Sequence, residues 1–286
     1  MPVDRSPVHL VDVPFFPQED FQCGPASLAM MLSWSGRPTV PEELVPLVYV
    51  PGRQGSFTVE MAAAARQGGR ILYPLAPELV AVLHALQSGS PVLVLQNNGL
   101  AMLPLWHFAV VVGVDPARER LWLHSGRTQR METTFSAFES TWARGGYWAA
   151  TVVAPGSFTR NLDPAVLVRE FALMLKSGDA VAAAAGFSRA RAFWPGLPAV
   201  WIGLADAERR QGDVVAAERT LRELVRQQPG YAPGLNNLAD LLVATGRPAE
   251  AVVLAENAVR LMDIPATRAT LDAARDALAR QSQPSR

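Results

Sequence analysis

The sequence predicts two domains: a first that mixes α-helices with β-strands, and a second built only from helices. In the first half, strand-type apolar runs such as residues 106–115 alternate with helical stretches such as residues 77–87. The second half repeats itself at a separation of 34 residues, which is typical of stacked helix pairs. The predicted bounds are 1–155 for the first domain, 156–162 for a linker and 163–286 for the helical domain.

The repeat is carried by identical residues that stand 34 positions apart. The matched pairs are Pro195 and Pro229, Leu204 and Leu238, Ala205 and Ala239, Gly212 and Gly246, and Ala217 and Ala251. The small residues let paired helices approach closely, and the glycines end the first helix of each pair. This period and pattern predict a tetratricopeptide-repeat superhelix.

Three repeats and a final helix are expected in the second half. Residues 163–195 form a degenerate first repeat, and the final helix is predicted over 266–280. Such a stack usually offers a groove for a peptide, so we expect the repeats to recruit a protein substrate or partner. Asn236 and Asn237 are candidates for groove contacts, with helix packing as the alternative.

Cys23 is the only cysteine in the sequence, and a helix is predicted to begin at this residue. Gly24 permits a tight entry turn and Pro25 suits a first helical turn. Apolar residues follow, and Gly36 ends the predicted helix. Unpaired N–H groups and the helix dipole favour a thiolate at this position, so we expect a nucleophile with a depressed pKa. A small buried apolar side chain is the alternative.

His107 is the predicted partner of this cysteine. It opens the strand-type run 106–115, whereas His9 lies near the terminus and His84 lies in a helical stretch. A histidine on a strand beside a cysteine at a helix start is the arrangement that cysteine hydrolases use. His107 is therefore predicted to act as general base and then as general acid.

Three segments carry a resemblance to a known family, over roughly residues 10–155. They are Val13-Pro14-Phe15-Phe16-Pro17-Gln18, Cys23-Gly24-Pro25 and Trp106-His107-Phe108-Ala109-Val110-Val111-Val112-Gly113. They resemble the peptidase domain of the bacteriocin-processing (double-glycine leader) family of papain-like cysteine peptidases. The resemblance implies a papain-like α+β fold with Cys23 as nucleophile, His107 as base and Gln18 as an oxyanion-hole donor. Gln22 is the competing donor, since it too precedes the cysteine.

The sequence departs from that family at the third catalytic position. Members usually carry Asp or Asn on the strand after the histidine strand, and Ser125 stands about there. A hydroxyl fixes a tautomer but adds no negative charge, so weak activity is one expectation. Asp115 and the asparagines at 97 and 98 are alternative orienting groups, although both positions favour turns. On a strand, His124 would face away from Ser125.

A glycine-punctuated loop over residues 48–57, with Arg53 near its centre, is a candidate part of the substrate groove. The alternative is a solvated arginine between turn-forming glycines.

Composition restricts the function classes. Basic and acidic residues number 26 each, so no global field attracts nucleic acid or an anionic membrane. We expect no cofactor, because Lys176 stands in no phosphate-binding loop. No apolar stretch reaches the length of a membrane span, and no signal peptide is evident. The chain as given is expected in the cytoplasm, or in the cell envelope if a signal segment has been removed.

The sequence therefore predicts a cysteine peptidase that acts on peptides or proteins, followed by a tetratricopeptide adaptor. Two alternatives remain open. One is a catalytically weak or inactive peptide-binding module, and the other is an acyltransferase or amidase that uses the same thioester chemistry.

Overall fold

The structure is a computed structural model, and it describes residues 4–18, 22–53, 55–100 and 102–282. The chain divides into two compact units, Met1–Phe158 and Thr159–Arg286. Each unit has its own hydrophobic core.

The first unit mixes helices and strands along the described part of the chain. Its helices are α1 (Cys23–Trp34), α2 (Pro41–Val48), α3 (Thr58–Gln67), α4 (Leu79–Gln87) and α5 (Phe135–Arg144), with a 3₁₀ turn at Pro51–Arg53. Its strands are β1 (Val8–His9), β2 (Tyr49–Val50), β3 (Gly55–Ser56), β4 (Ile71–Pro74), β5 (Val92–Asn97), β6 (Trp106–Asp115), β7 (Arg120–Ser125), β8 (Thr128–Thr134) and β9 (Ala149–Val153). This confirms the predicted α+β class.

One antiparallel sheet organises this unit. Its strand order is β4-β9-β5-β6-β7-β8, β1 pairs with β6, and β2 and β3 form a separate small ladder. Gln96 on β5 pairs with His107, and Val110 on β6 pairs with His124 on β7. Because β6 and β7 are antiparallel, the first residues of β6 and the last residues of β7 lie at the same end of the sheet.

Both faces of the sheet are covered, which explains the continuous apolar run of β6. Phe108 and Val110 pack in a core cluster with α1, whereas Ala109 and Val111 pack on the other face with α4 and α5. Residues of α1 are buried without a break from Gly24 to Leu32, so this helix is enclosed by the domain. The start of α1, and with it Cys23, is thereby held against the sheet.

The second unit is all helical in its described residues. Its helices are α6 (Pro164–Lys176), α7 (Ala180–Phe193), α8 (Pro198–Arg210), α9 (Val214–Gln227), α10 (Ala232–Ala244), α11 (Pro248–Leu261) and α12 (Pro265–Gln281). Gly212 and Gly246 follow the first helices α8 and α10 with positive φ angles of 83° and 76°, the conformation that glycine favours. Among the helices described, none combines the length and apolar character needed to cross a bilayer.

Candidate active site

Cys23 is the first residue of α1, and its side chain is partly buried. The backbone N–H groups of Phe108, of Gly24 and of Cys23 itself act on the thiol and lower its pKa. Ser27, one turn after Cys23 on α1, donates a hydrogen bond of 3.2 Å from its Oγ to the carbonyl oxygen of Phe108, the residue that follows His107 on β6. The structure thus brings the start of α1 and the start of β6 together.

The predicted depression of the Cys23 pKa is wrong in this structure. Burial raises the pKa of the thiol above its ordinary value, and the three N–H groups lower it by less than burial raises it. Burial also lowers the pKa of His107. Both shifts favour the uncharged forms, a thiol and a neutral imidazole, over an ion pair.

His107 and Ser125 meet across neighbouring strands. The Nε2 atom of His107 lies 2.8 Å from the Oγ atom of Ser125. The register of β6 and β7 explains this contact, because the pairing of Val110 with His124 sets Ser125 on the same sheet face as His107. When Nε2 carries the proton and donates it to Ser125, the Nδ1 lone pair is left to accept a proton.

The Gln18 side chain is held inside the protein. Its Nε2 lies 3.2 Å from Ser27 Oγ and 3.4 Å from the carbonyl oxygen of Phe108, and its Oε1 accepts a hydrogen bond of 3.1 Å from Gly126 N–H. Both amide hydrogens therefore have protein acceptors, and the residue is only 6% exposed. Gln22, the competing donor, precedes α1 and makes no side-chain bond that caps the helix.

The other candidate orienting groups have structural roles. Asp115 accepts hydrogen bonds from the N–H groups of Ala117 and Arg118, at 3.1 and 3.2 Å, and so fixes the turn after β6. His124 is buried, with Nε2 3.3 Å from the carbonyl oxygen of Val13 and Nδ1 accepting from Arg130 N–H at 3.2 Å. Neither hydrogen-bonds to His107.

Asn97 builds the turn that leads to His107. Its Oδ1 accepts hydrogen bonds of 2.9 Å from the N–H groups of Gly99 and Leu105, which agrees with the turn role weighed in the sequence. Asn98 N–H donates to the carbonyl oxygen of Leu105. The side chains of this turn form an apolar loop, in which five residues are more than half exposed: Leu100, Met102, Leu103, Leu105 and Trp106.

Gly24 is needed for a close contact, and the predicted entry turn is not its role. It lies inside α1, and a Cβ atom there would stand 2.3 Å from Ser56 Oγ. The Ser56 hydroxyl is buried and has no hydrogen-bond partner within the described ranges. The proximity of Ser56 to Gly24 depends on how β3 packs against α1, so the sequence alone does not indicate it.

The structure describes the predicted groove loop over residues 48–57 only in part. Residue 54 and the side chain of Arg53 lie outside the described residues. In the described ranges, no three His, Cys, Asp or Glu side chains gather as metal ligands would. The candidate site consists of Cys23, His107, Ser125 and the groups that surround them.

A cysteine at the start of a helix enclosed against one antiparallel sheet fits the α+β class predicted for the first domain. Residues 10–150 match the model of the Peptidase_C39 like family, and residues 174–233 match a tetratricopeptide repeat model. Residues 10–150 therefore form a Peptidase_C39-like domain, and the second domain contains tetratricopeptide repeats. The resemblance to a cysteine-peptidase family and the prediction of tetratricopeptide repeats are both confirmed.

Solved structures resemble each part of the chain. A protein described as a C39-like peptidase from Bacillus anthracis is 18% identical, covering 52% of this chain and 98% of its own, with a TM-score of 0.44. A double-glycine motif protease from an AMS/PCAT transporter, in complex with the leader peptide, is 22% identical (51% and 95% covered; TM-score 0.38). The first tetratricopeptide domain of human RPAP3 is 20% identical (42% and 97% covered; TM-score 0.39). The chain matches no curated protein.

Proposed function

We propose that the protein is a cysteine peptidase in which Cys23 is the nucleophile and His107 is the base. The observation that supports this most strongly is the 3.2 Å hydrogen bond from Ser27 Oγ to the carbonyl oxygen of Phe108, which holds the first turn of α1, where Cys23 lies, next to the residue that follows His107. Ser125 orients the imidazole through its Nε2 atom. A thiol and a base at the end of one sheet are what acyl transfer requires.

The reaction starts from the neutral pair. As the Cys23 sulfur attacks the peptide carbonyl, its proton passes to His107 and a C–S bond forms. The C–N bond then breaks, and the imidazolium gives its proton to the departing amine, leaving a thioester on Cys23. Water attacks the thioester, with His107 again as base, and the acid and the free thiol are released.

The oxyanion of the tetrahedral intermediate needs two donors. Cys23 N–H at the helix start is the first. We assign the second to Gln22, because the amide hydrogens of Gln18 are already directed at Ser27 and Phe108. Gln18 then has a structural role, tying the segment before α1 to β6 and β7.

Replacing each glutamine by alanine separates these roles. Gln22→Ala is expected to lower kcat by about 10²-fold with an unchanged melting temperature, as loss of one oxyanion donor does. Gln18→Ala is expected to lower the melting temperature, because it removes three side-chain hydrogen bonds, two of them buried. Steady-state kinetics and thermal denaturation measure both effects. A kcat loss confined to Gln18→Ala, with unchanged stability, would return the oxyanion role to Gln18.

The apolar loop indicates which substrates the site accepts. Five exposed apolar side chains directly precede or flank the base, on a backbone that Asn97 holds in place. Single exposed apolar residues are ordinary, but a cluster of this kind beside a site favours a ligand with apolar side chains. We therefore infer that peptides with apolar residues near the cleaved bond are preferred.

A second candidate function is a peptide-binding module with weak or no catalysis. Two observations favour it: Ser125 brings no charge to His107, and burial raises the pKa of Cys23. Hydrolysis of apolar peptides by the intact chain, measured with fluorogenic peptides, distinguishes the two functions. A folded chain that binds such peptides without cleaving them is the binding module.

The repeats are proposed to recruit the protein substrate. A chain that ends at Phe158 retains the whole first unit with its core, so it is expected to hydrolyse short peptides at an undiminished kcat/KM. The same truncation should raise KM for a full-length protein substrate. Circular dichroism verifies folding of the shortened chain. Loss of short-peptide hydrolysis in a folded truncation would make the repeats part of the active site.

A further inference from the structure

A cavity of about 710 Å³ lies in the helical unit, among the second helices of two successive repeats. Helices α7 and α9 provide most of its lining, and α8 contributes Trp201. The sequence predicted groove contacts for Asn236 and Asn237, which lie on α10, the first helix of its repeat. The cavity is therefore a separate site.

Four arginines and two glutamates line the cavity, and only part of this charge is paired internally. Arg222 binds Glu218 at 2.8 Å and Glu250 at 2.6 Å, and Arg226 binds Glu223 at 2.6 Å. The carboxylates of Glu218, Glu250 and Glu223 are therefore already bound by arginines of the protein.

Arg191 and Arg219 differ from those two arginines. Neither forms a salt bridge or a hydrogen bond with any residue in the described ranges. The Arg191 guanidinium lies over the Trp201 ring, 5.2 Å from its centroid. The pKa of Glu223 is lowered to about 2, mainly by its hydrogen bond from Arg226. The positive charge of Arg191 contributes least to this shift. Two cationic groups thus face the cavity without a bound carboxylate.

Apolar surface accompanies these cations. Val215, close to the start of α9, lines the cavity and is 80% exposed, and Trp201 contributes its ring. An exposed valine beside an aromatic ring and two arginines provides both apolar and cationic contacts. A ligand that matches this lining carries anionic groups next to apolar side chains.

We propose that this cavity binds an acidic peptide segment of a partner protein. Side-chain carboxylates of the segment pair with Arg191 and Arg219, and a neighbouring apolar side chain packs on Trp201 and Val215. A peptide fits better than a nucleic acid, because the ionised glutamates of the lining would repel a continuous phosphate backbone and because the chain has no net charge. Binding here does not depend on chemistry at Cys23.

Two labelled octapeptides test the proposal on the full chain. One alternates Glu with Leu, and its matched partner alternates Gln with Leu. In fluorescence anisotropy at low salt, the Glu peptide is expected to bind at least about tenfold more tightly, since hydrogen bonds to charged groups are the stronger ones. Equal affinity for the two peptides, or no binding of the Glu peptide at millimolar concentration, would overturn the proposal.

Matched arginine variants localise the binding. Arg219→Gln removes an exposed side chain without a salt bridge, so the fold is expected to persist while affinity for the Glu peptide falls about tenfold. Arg280→Gln makes the same charge change on α12, outside the cavity, and should leave affinity unchanged. Equal losses in both variants would show non-specific charge attraction. Displacement of the peptide from this site by a single-stranded oligonucleotide at lower concentration would assign the cavity to nucleic acid and overturn the proposal.

Discussion

Replacing Cys23 by alanine is expected to abolish peptide hydrolysis, with kcat/KM falling by about 10³-fold or more. The chain has no second cysteine to take over the attack. His107→Ala is expected to cause a loss of similar size, because a buried thiol with a raised pKa needs a base to remove its proton. Because nucleophile and base act as one unit, the double variant should be hardly worse than either single one.

The control for these variants is His84→Ala, which removes a histidine of α4 and leaves the site unchanged. Its kcat/KM should match that of the unmodified chain. Full activity of a folded Cys23→Ala chain would contradict the assignment of the nucleophile. Loss in Cys23→Ala together with full activity in His107→Ala would contradict the assignment of the base.

Replacing Ser125 by aspartate is expected to raise the pKa of His107 and to speed turnover about tenfold or more. A carboxylate at 2.8 Å from Nε2 would stabilise the imidazolium that forms during attack, which the serine hydroxyl cannot do. Each pKa unit gained corresponds to about 1.4 kcal/mol. NMR titration of the His107 ring measures the shift.

The same change has a defined effect on the pH profile. His107 must be neutral to accept the thiol proton, so activity is lost as pH falls through its pKa. Burial lowers that pKa in the native chain, so the acid limb is expected below the ordinary histidine value of about 6.5. Ser125→Asp should move this limb to higher pH, whereas Ser125→Asn, which adds no charge, should not. An unchanged His107 titration in Ser125→Asp would mean that Ser125 does not act on the imidazole.

The positions of the main site residues could be predicted because their signals are local. The helix start at Cys23 and the strand that carries His107 are each specified by neighbours in the sequence, and the structure has α1 and β6 there. Strand alternation was enough to separate Ser125 from His124, and the structure places only Ser125 against His107. Their catalytic roles, like the domain bounds at 155 and 163, stay predictions.

Electrostatic and packing features could not be predicted in the same way. The pKa of Cys23 depends on burial by segments distant in sequence, and this outweighs the local helix start. The contact of Gly24 with Ser56 joins α1 to a strand 32 positions later. In the repeats, Arg222 finds Glu250 on the next helix pair, so the unpaired arginines become apparent only when the helices are stacked.

The proposed mechanism requires a covalent intermediate at Cys23, and mass spectrometry of an acid-quenched reaction tests for it directly. The intact chain is mixed with an apolar peptide ester, quenched, digested and mapped. We predict a peptide acyl group on the fragment that contains Cys23, and none on the same fragment of His107→Ala. Hydrolysis by the folded chain without any acyl group on Cys23, or equal acylation in His107→Ala, would contradict the proposed mechanism.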